Sequence, residues 1–366
     1  MSTQGTLTGS VLTPEGWVAG QVRFTDRIVA VEGAAVARPE PPYILPGFID
    51  LHVHGGGGAD MMLGAEAIRT AARLHARHGT TAICPTSVTA PVGEIEAFLD
   101  ALAGVMAAPG EGEARLLGAH LEGPFLNPGK LGAQPPFAIP PDATLLARWA
   151  ARAAVRIVTF APEMAGAEAL HATLDALGIR AQAGHSLCDY ATAHAALVRG
   201  AGVTHLFNAM SGVSHRGNGL AGAALAHADY AEIIPDLVHV EAGAILTARR
   251  AIPNLYGVTD ATAGAGMPDG AYRLGGHEIL KSGEAMRLPD GTLAGSTLTM
   301  DRALRNLVAI GLPLAEAARR LSTIPADWLG LTEMGRIAPG AMADLVLLDE
   351  GLDLRQVHVG GTRIAG

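Results

Sequence analysis

The sequence PGFIDLHVHGGGG, residues 46–58, is an apolar run that ends in two histidines and four glycines. Residues two apart on a β-strand share a face, so the side chains of His52 and His54 are expected to point in the same direction. Eight apolar runs of this kind lie between residue 43 and about residue 260, separated by alanine-rich segments with helical spacing. This alternation predicts an α/β fold, a (β/α)8 TIM-type barrel of eight strand–helix units.

Further segments complete the predicted barrel. Two helices at about 298–310 and 313–330 follow the eighth run, and strand-like segments within 262–297 predict an inserted hairpin. No GxGxxG motif follows an early strand, which argues against a dinucleotide-binding sheet. The helices predicted between the runs cover 66–78, 91–107, 142–152, 167–178 and 189–199.

The two ends of the chain have a different pattern from the middle. Residues 1–45 and 335–366 alternate apolar and polar positions and contain turn residues, as strands joined by short loops do. They predict a small β-sandwich domain built from both termini. Residues 46–334 are then expected to form the barrel domain.

Composition excludes several function classes. The 366 residues carry a formal net charge of −9, and the arginines are scattered, which argues against a nucleic-acid surface. The N-terminus has no signal-peptide pattern and no run of about 18 apolar residues exists, so no membrane partner is expected. Cys84 and Cys188 are far apart and predict buried free thiols in a reducing compartment. We therefore expect a cytoplasmic protein.

Polar residues recur where the predicted strands end. In such a barrel the carboxyl ends of the strands form the active site. A single histidine is more often structural, but charged and imidazole groups at the ends of several apolar strands are costly unless they are paired or bind a ligand. Imidazole and carboxylate together suit zinc, iron, manganese or cobalt, and a carboxylate beside such an ion suits a general base. These residues are His52, His54, His120, Glu122, His185, His205, His239 and Asp260.

Five motifs carry a family resemblance over nearly the whole chain. The sequence resembles the metal-dependent amidohydrolases and, within that superfamily, the N-acetylglucosamine-6-phosphate deacetylase family. "HLEGPF" with "THLFNAM" is the specific part, whereas the HxH pair and the C-terminal tail are shared by the superfamily. The motifs are GAHLEGPFLNPGKLGA (118–133), GHSLCDYATAHAALVRGAGVTHLFNAMSG (184–212), HRGNGLAGAAL (215–225), VTDATAGAG (258–266) and DGTLAGSTLTM (290–300).

The resemblance implies a role for each matching residue. Glu122, His185 and His205 match the metal ligands, His52 and His54 match a pair that supports a second ion, and Asp260 matches the catalytic acid/base and a ligand. One or two divalent ions per subunit are implied, zinc first, with iron, manganese or cobalt as alternatives. Arg216 and His239 match phosphate contacts, and the arginine can come from a neighbouring subunit, which implies a homodimer. The other implied substrate contacts are Ala133, Gln134, Asn208, Ala209, Leu293, Ala294 and Gly295.

Gln134 departs from the family pattern, because many members have a histidine there that polarises the substrate carbonyl. A glutamine can donate a hydrogen bond but carries no charge. The implied reaction is hydrolysis of N-acetylglucosamine 6-phosphate to glucosamine 6-phosphate and acetate. Two alternatives stay open: deacetylation of another N-acetylated amino-sugar phosphate or N-acyl amine, and an inactive sugar-phosphate sensor. The complete set of ligands and the retained Asp260 argue against the sensor.

Overall fold

The computed structural model describes residues 4–364. Its largest sheet contains eight parallel strands that follow one another in chain order, each hydrogen-bonded to the next. A short strand, Arg115–Leu116, pairs with the second of them outside this order. The eight strands are Phe48–Val53, Thr80–Ser87, Ala119–Glu122, Val155–Phe160, Arg180–Ala183, Gly202–Val203, Tyr230–Ile233 and Asn254–Gly257.

Backbone hydrogen bonds bring the first and last of these strands together at their carboxyl ends. The amide of Asp260 donates to the carbonyl oxygen of His52 at 2.9 Å, and the amide of His54 donates to that of Ala261 at 2.8 Å. The sheet is therefore a nearly closed barrel, which confirms the predicted strand count and parallel arrangement. The residues that follow the eighth strand lie directly beside the HxH pair.

The helices agree closely with the sequence pattern. Asp142 and Asp189 cap two of them, because their side chains accept hydrogen bonds from first-turn amides. The single helix predicted at 313–330 is wrong, since the structure has two helices there; Pro325 lacks the amide hydrogen that a continuous helix requires. The α-helices are Ala65–Arg77, Val92–Ala107, Ala143–Ala150, Ala167–Leu177, Tyr190–Val198, Leu220–His227, Ala242–Ala251, Met300–Ala309, Leu314–Leu321 and Thr323–Trp328, with 3-10 turns at Met61–Leu63 and Pro128–Lys130.

Both termini contribute to one seven-stranded sheet. Leu45 pairs with Val346, so the beginning and the end of the described chain lie side by side. Val11, Val22 and Ile44 belong to a hydrophobic core of this sheet, separate from the barrel core. The two-layer sandwich and the domain limits at residues 45 and 335 stay predictions. The strands are Gly5–Thr13, Gly16–Phe24, Ile28–Val36, Tyr43–Pro46, Leu345–Leu348, Leu354–Val359 and Thr362–Ile364.

The insert after the eighth strand is larger than the predicted hairpin. It is an antiparallel sheet of four strands, Gly270–Leu274, His277–Ser282, Ala285–Arg287 and Leu293–Ser296. A cluster that includes Val88 and Met286 packs it against the barrel. Asp60, in the small ribbon Gly55–Gly56 and Ala59–Asp60, accepts a hydrogen bond from the amide of Gly275 at 2.6 Å. The insert thus forms one wall of the barrel mouth.

Two further predictions, on membrane-spanning helices and on the cysteines, can be compared with the structure. Within residues 4–364, none of the helices has the length and apolar character needed to span a membrane. Cys84 and Cys188 are buried and unpaired, as predicted.

Candidate active site

Glu122 lies between two groups of histidines at the barrel mouth. Its Oε1 atom is 3.0 Å from Nε2 of His185 and 2.9 Å from Nε2 of His205. Its Oε2 atom is 3.2 Å from Nε2 of His54 and 3.5 Å from Nε2 of His52. One buried carboxylate therefore faces both groups, one oxygen toward each.

Asp260 completes the second group. Its Oδ1 atom is 3.2 Å from Nε2 of His54 and 3.5 Å from Nε2 of His52, and these two nitrogens are 3.2 Å apart. In the first group the Nε2 atoms of His185 and His205 are 3.1 Å apart. All six predicted ligands thus converge in two adjacent clusters.

The hydrogen bonds at the far side of the rings show what these clusters can bind. Nδ1 of His52 is 3.0 Å from Glu232 Oε2, Nδ1 of His54 is 3.2 Å from the carbonyl oxygen of Thr86, and Nδ1 of His185 is 2.8 Å from that of Lys130. Because each Nδ1 faces an acceptor, it carries a proton, so in the neutral form of the ring the lone pair lies on Nε2 and points into the cluster. Lone pairs that converge on one point repel unless a cation lies there, so the donor set fits a divalent metal ion.

The electrostatics of the site favour positive charge. Burial lowers the pKa of His54, but hydrogen bonds to Asp260 and Glu122 outweigh it and raise that pKa to about 9. Burial raises the pKa of Glu122 and of Asp260, but the neighbouring imidazoles prevail and both pKa values are lowered. The two carboxylates are therefore ionised at neutral pH, and they would stabilise a metal cation as they stabilise an imidazolium.

Several site residues have a strained backbone. The φ angles of His185, His205, Ala209 and Asp260 are 46°, 27°, 47° and 50°, in the left-handed region that non-glycine residues seldom adopt. Such conformations cost roughly 1–3 kcal/mol each and persist where the surroundings enforce them. At Asp260, the carbonyl oxygen accepts a hydrogen bond of 2.7 Å from the amide of Ser296. The strain marks these turns as positions where side-chain direction is fixed by tertiary contacts.

His120, which shares a strand face with Glu122, has a different environment. Its Nδ1 atom is 2.9 Å from the carbonyl oxygen of Leu51, and its Nε2 atom is 2.8 Å from Thr159 Oγ1. Burial and the charge of His52 hold its pKa well below the usual range. Both ring nitrogens are thus engaged within the barrel, which supports the choice of Glu122 as the ligand of that pair.

A cavity of about 370 Å³ opens above the clusters, a volume typical of small-molecule sites. Two predicted contacts lie outside its lining. Ala294 is buried in the hydrophobic cluster behind the wall, because neighbours on a strand face opposite sides, and Arg216 is exposed on a loop. The predicted residues that do line the cavity are Ala133, Gln134, Asn208, Ala209, His239, Leu293 and Gly295.

Gln134 is fixed by two hydrogen bonds. Its Oε1 atom accepts from the amide of Thr89 at 2.6 Å, which assigns the opposite end as the NH2 group. That Nε2 group donates to Glu122 Oε2. Gln134 therefore holds the shared carboxylate on the side of the HxH cluster, a contact that the sequence did not indicate.

The prediction that His239 ends the seventh strand is wrong. The strand is Tyr230–Ile233, and the chain turns at Pro235, which has no amide hydrogen to continue a strand ladder. Nδ1 of His239 is 2.6 Å from Asp236 Oδ2, and although burial lowers its pKa, this carboxylate raises it on balance. The carboxylate of Asp236 therefore stabilises the imidazolium form of His239, which suits an anionic ligand in the cavity.

Glu232 was missed in the sequence. It is buried in the seventh strand, where Oε2 faces His52 and Oε1 accepts from Gln182 Nε2 at 2.8 Å. A charged residue within an apolar run is the signal that identified the other site residues, and it was available here too. Arg287, which also lines the cavity, had no such signal because it lies on the polar insert.

A parallel barrel whose mouth holds clustered histidines and carboxylates is typical of metal-dependent hydrolases. Comparison with known proteins gives the family. The chain belongs to the amidohydrolase family, whose model matches residues 43–364.

The similarity to individual relatives covers nearly the whole chain. The chain is 37% identical over 366 residues to the N-acetylgalactosamine-6-phosphate deacetylase of Escherichia coli O157:H7, and the alignment covers 96% of each chain. It is 37% identical over 333 residues to the N-acetylglucosamine-6-phosphate deacetylase of Vibrio furnissii, 88% of this chain and 82% of that one. A mutant N-acetyl-D-glucosamine-6-phosphate deacetylase from Mycobacterium smegmatis, solved with N-acetyl-D-glucosamine-6-phosphate, superposes with a TM-score of 0.92 at 34% identity, covering 100% of both chains. The family resemblance seen in the sequence is confirmed.

Proposed function

We propose that the protein removes the acetyl group of N-acetylglucosamine 6-phosphate, giving glucosamine 6-phosphate and acetate. The observation that carries this is the carboxylate of Glu122 shared by two histidine clusters, with Asp260 beside one of them, at the floor of a cavity of substrate size. The names of the relatives support the amino-sugar phosphate as substrate.

The chain offers two sets of metal ligands. Glu122, His185 and His205 would hold one divalent ion, and His52, His54 and Asp260 a second. A bound ion supplies Lewis acidity at the acetamide carbonyl and lowers the pKa of water. Zinc suits these nitrogen and oxygen ligands, and iron, manganese and cobalt suit them as well.

The protein's own groups handle the protons. Asp260 is ionised, so it accepts the proton of the attacking water and later delivers it to the departing amine. Gln134 uses one N–H on Glu122 and has a second N–H for the carbonyl oxygen of the substrate. The left-handed backbone conformation of Asp260, supported by the hydrogen bond from the amide of Ser296, directs its carboxylate into the cavity.

The remaining groups bind the sugar phosphate. Asn208 and Leu293 line the cavity and would contact the sugar, and His239, whose imidazolium form Asp236 stabilises, would contact the phosphate. Because Arg216 lies outside the cavity of its own subunit, we propose a homodimer in which it completes the phosphate site across the interface. The buried free thiols support a cytoplasmic location.

The test is acetate release from N-acetylglucosamine 6-phosphate, measured together with the metal content of the purified enzyme. Activity is expected to follow the metal content when chelator removes the ions and Zn2+, Fe2+, Mn2+ or Co2+ is returned. Sedimentation of the same sample measures the oligomeric state. A metal-loaded enzyme that releases no acetate from this sugar phosphate contradicts the proposal.

A second candidate substrate is N-acetylgalactosamine 6-phosphate. It is supported by the 37% identity, over 96% of both chains, to the E. coli relative of that name. The two sugars differ only in the configuration of one hydroxyl group, and both present the same acetamide and phosphate. The ratio of kcat/KM for the two substrates decides between them, and a ratio above ten for the galactosamine compound reverses the assignment.

A further inference from the structure

The insert places an unassigned arginine on the cavity wall. Arg287 lies directly opposite Leu293 in the antiparallel pair formed by the last two strands of the insert. Cross-strand partners point to the same face of a sheet, and Leu293 and Gly295 line the cavity from that face. The side chain of Arg287 therefore faces the cavity, whereas its neighbour Met286 is buried in the opposite direction.

Arg287 has no counter-charge in the described chain. Among the described residues that line the cavity it is the only lysine or arginine. Its Nη1 atom donates to the carbonyl oxygen of Gly291 at 2.8 Å, and no carboxylate within residues 4–364 forms an ion pair with it. A guanidinium has five N–H donors, so most of them are free for a ligand. An unpaired cation on the cavity wall attracts an anion locally, against the net charge of −9 of the whole chain.

The cavity contains groups of both charges. Glu122 and Asp260 belong to the ligand clusters at the barrel mouth, whereas Arg287 lies on the wall formed by the insert and His239 follows the seventh strand. Burial and the charge of Arg287 lower the pKa of His239, whereas Asp236 and, to a smaller extent, Asp260 raise it, so both kinds of charge in the cavity act on this ring. A ligand with a neutral amide at one end and an anion at the other matches this arrangement.

We propose that Arg287 binds the phosphate group of the substrate from within the same chain, together with His239. This rests on the proposed function and adds a contact that discriminates phosphorylated from unphosphorylated sugars. The planar guanidinium suits phosphate because two of its N–H groups can bind two oxygens at once. The site then holds a cation of its own even before a second subunit contributes Arg216.

The experiment compares Arg287→Gln and Arg287→Lys with Arg273→Gln in the metal-loaded enzyme. Arg273 is a matched control, because it is exposed on the same insert but lies outside the cavity lining. Calorimetry measures the binding of glucosamine 6-phosphate, and steady-state assays measure KM and kcat for N-acetylglucosamine with and without the 6-phosphate. Arg287→Gln is expected to weaken glucosamine 6-phosphate binding by about 10- to 100-fold, the effect of losing a hydrogen bond to a charged group.

The KM of the phosphorylated substrate should rise by a similar factor, that of unphosphorylated N-acetylglucosamine should not change, and kcat should stay within about twofold. Arg287→Lys keeps the charge and should recover part of the affinity. Unchanged binding in Arg287→Gln overturns the proposal. An equal loss for both sugars also overturns it, because Arg287 then acts only by holding the turn at Gly291. If the wild type releases no acetate, the proposed reaction fails, while the calorimetry still tests Arg287 separately.

Discussion

Replacing Glu232 by glutamine tests whether the carboxylate behind His52 sets the affinity of the second metal site. Glu232 Oε2 lies 3.0 Å from Nδ1 of His52 and 3.2 Å from the amide nitrogen of His205. A carboxylate that accepts the far N–H of a ligand histidine fixes the ring and makes the opposite nitrogen a stronger donor. Glutamine has the same shape but no charge.

The expected magnitude follows from the hydrogen bonds that glutamine can keep. Gln182 Nε2 donates to Glu232 Oε1, and its own Oε1 is buried without a partner among the described residues. If the amide of Gln182 reverses, it can accept from the new NH2 group, so the contact with His52 survives and only the charge is lost. A charge-assisted hydrogen bond contributes about 1.5–3 kcal/mol and a neutral one about 0.5–1.5 kcal/mol. The difference, about 1–1.5 kcal/mol, corresponds to roughly tenfold weaker metal binding, at the low end of the usual range of about 10–100-fold.

The assay is a Zn2+ titration of the metal-free enzyme against a competing chelator, with the metal content of the holoenzyme measured by mass spectrometry. The wild type is expected to bind two ions per chain, and Glu232→Gln to hold one of them about tenfold more weakly. Asp236→Asn is the matched control, because Asp236 supports His239 in the same way outside the ligand clusters. That variant should keep both ions and raise the KM of the phosphorylated substrate.

Two results would refute this reasoning. Unchanged affinity for both ions in Glu232→Gln would show that the carboxylate does not act on His52. A wild type that binds a single ion would show that the second cluster of His52, His54 and Asp260 is not a metal site.

Three further predictions concern catalysis, backbone strain and pH. Asp260→Asn should lower kcat by about 10²–10⁴-fold because an amide cannot accept the proton; near-normal turnover in metal-loaded protein would contradict its role. Gly295→Ala adds a methyl group 2.8 Å from the carbonyl oxygen of Asp260 at φ +62°, and it should lower both kcat and Tm. Gly283→Ala has the same strain at φ +57° but meets no described atom within 4 Å, so it should cost only about 1–2 kcal/mol and leave kcat unchanged. Burial lowers the pKa of His75 to about 4, so in the unfolded state, with a pKa of about 6.5, this residue binds more protons between these values. The contribution of His75 to the free energy of unfolding is thus fully present above about pH 6.5 and falls by about 3 kcal/mol toward pH 4. Urea unfolding should show that the loss of stability between these pH values is smaller in His75→Gln than in the wild type.

Local pattern was sufficient for most of the barrel, because each strand–helix unit is encoded within a short segment of chain. It failed where distant residues decide the outcome. The strand Leu293–Ser296 joins the insert to the barrel, because the amide of Thr262 donates to the carbonyl oxygen of Ser296 at 3.0 Å. No local sequence pattern predicts that hydrogen bond. The apolar residues on both sides of Pro235 extended the predicted seventh strand too far and placed His239 at its end.

The residues that form the two ligand clusters were predictable from the sequence, whereas the position of one carboxylate between both clusters was not. Period-two spacing placed His52 and His54 on one face, and charged residues at apolar strand ends indicated the others. That one carboxylate faces both clusters depends on the side-chain direction of Glu122, which Gln134 holds across twelve residues of chain. The position of Arg287 could not be predicted for the same reason. No sequence feature shows whether an arginine on a polar hairpin faces a cavity or the solvent.

The directions of the functional side chains are set in two physically different ways, by the pleat of a strand or by a turn beyond a strand end. His52 and Glu122 lie within strands and are directed by the pleat, whereas His185, His205 and Asp260 lie beyond strand ends in left-handed turns. The second group depends on distant support, and for Asp260 that support is the amide of Ser296. Ser296 ends the strand whose first residue, Leu293, pairs with Arg287. The same short strand therefore connects the proposed phosphate contact to the turn that holds the proposed base, so the insert contributes both to substrate binding and to the direction of the carboxylate that receives the proton.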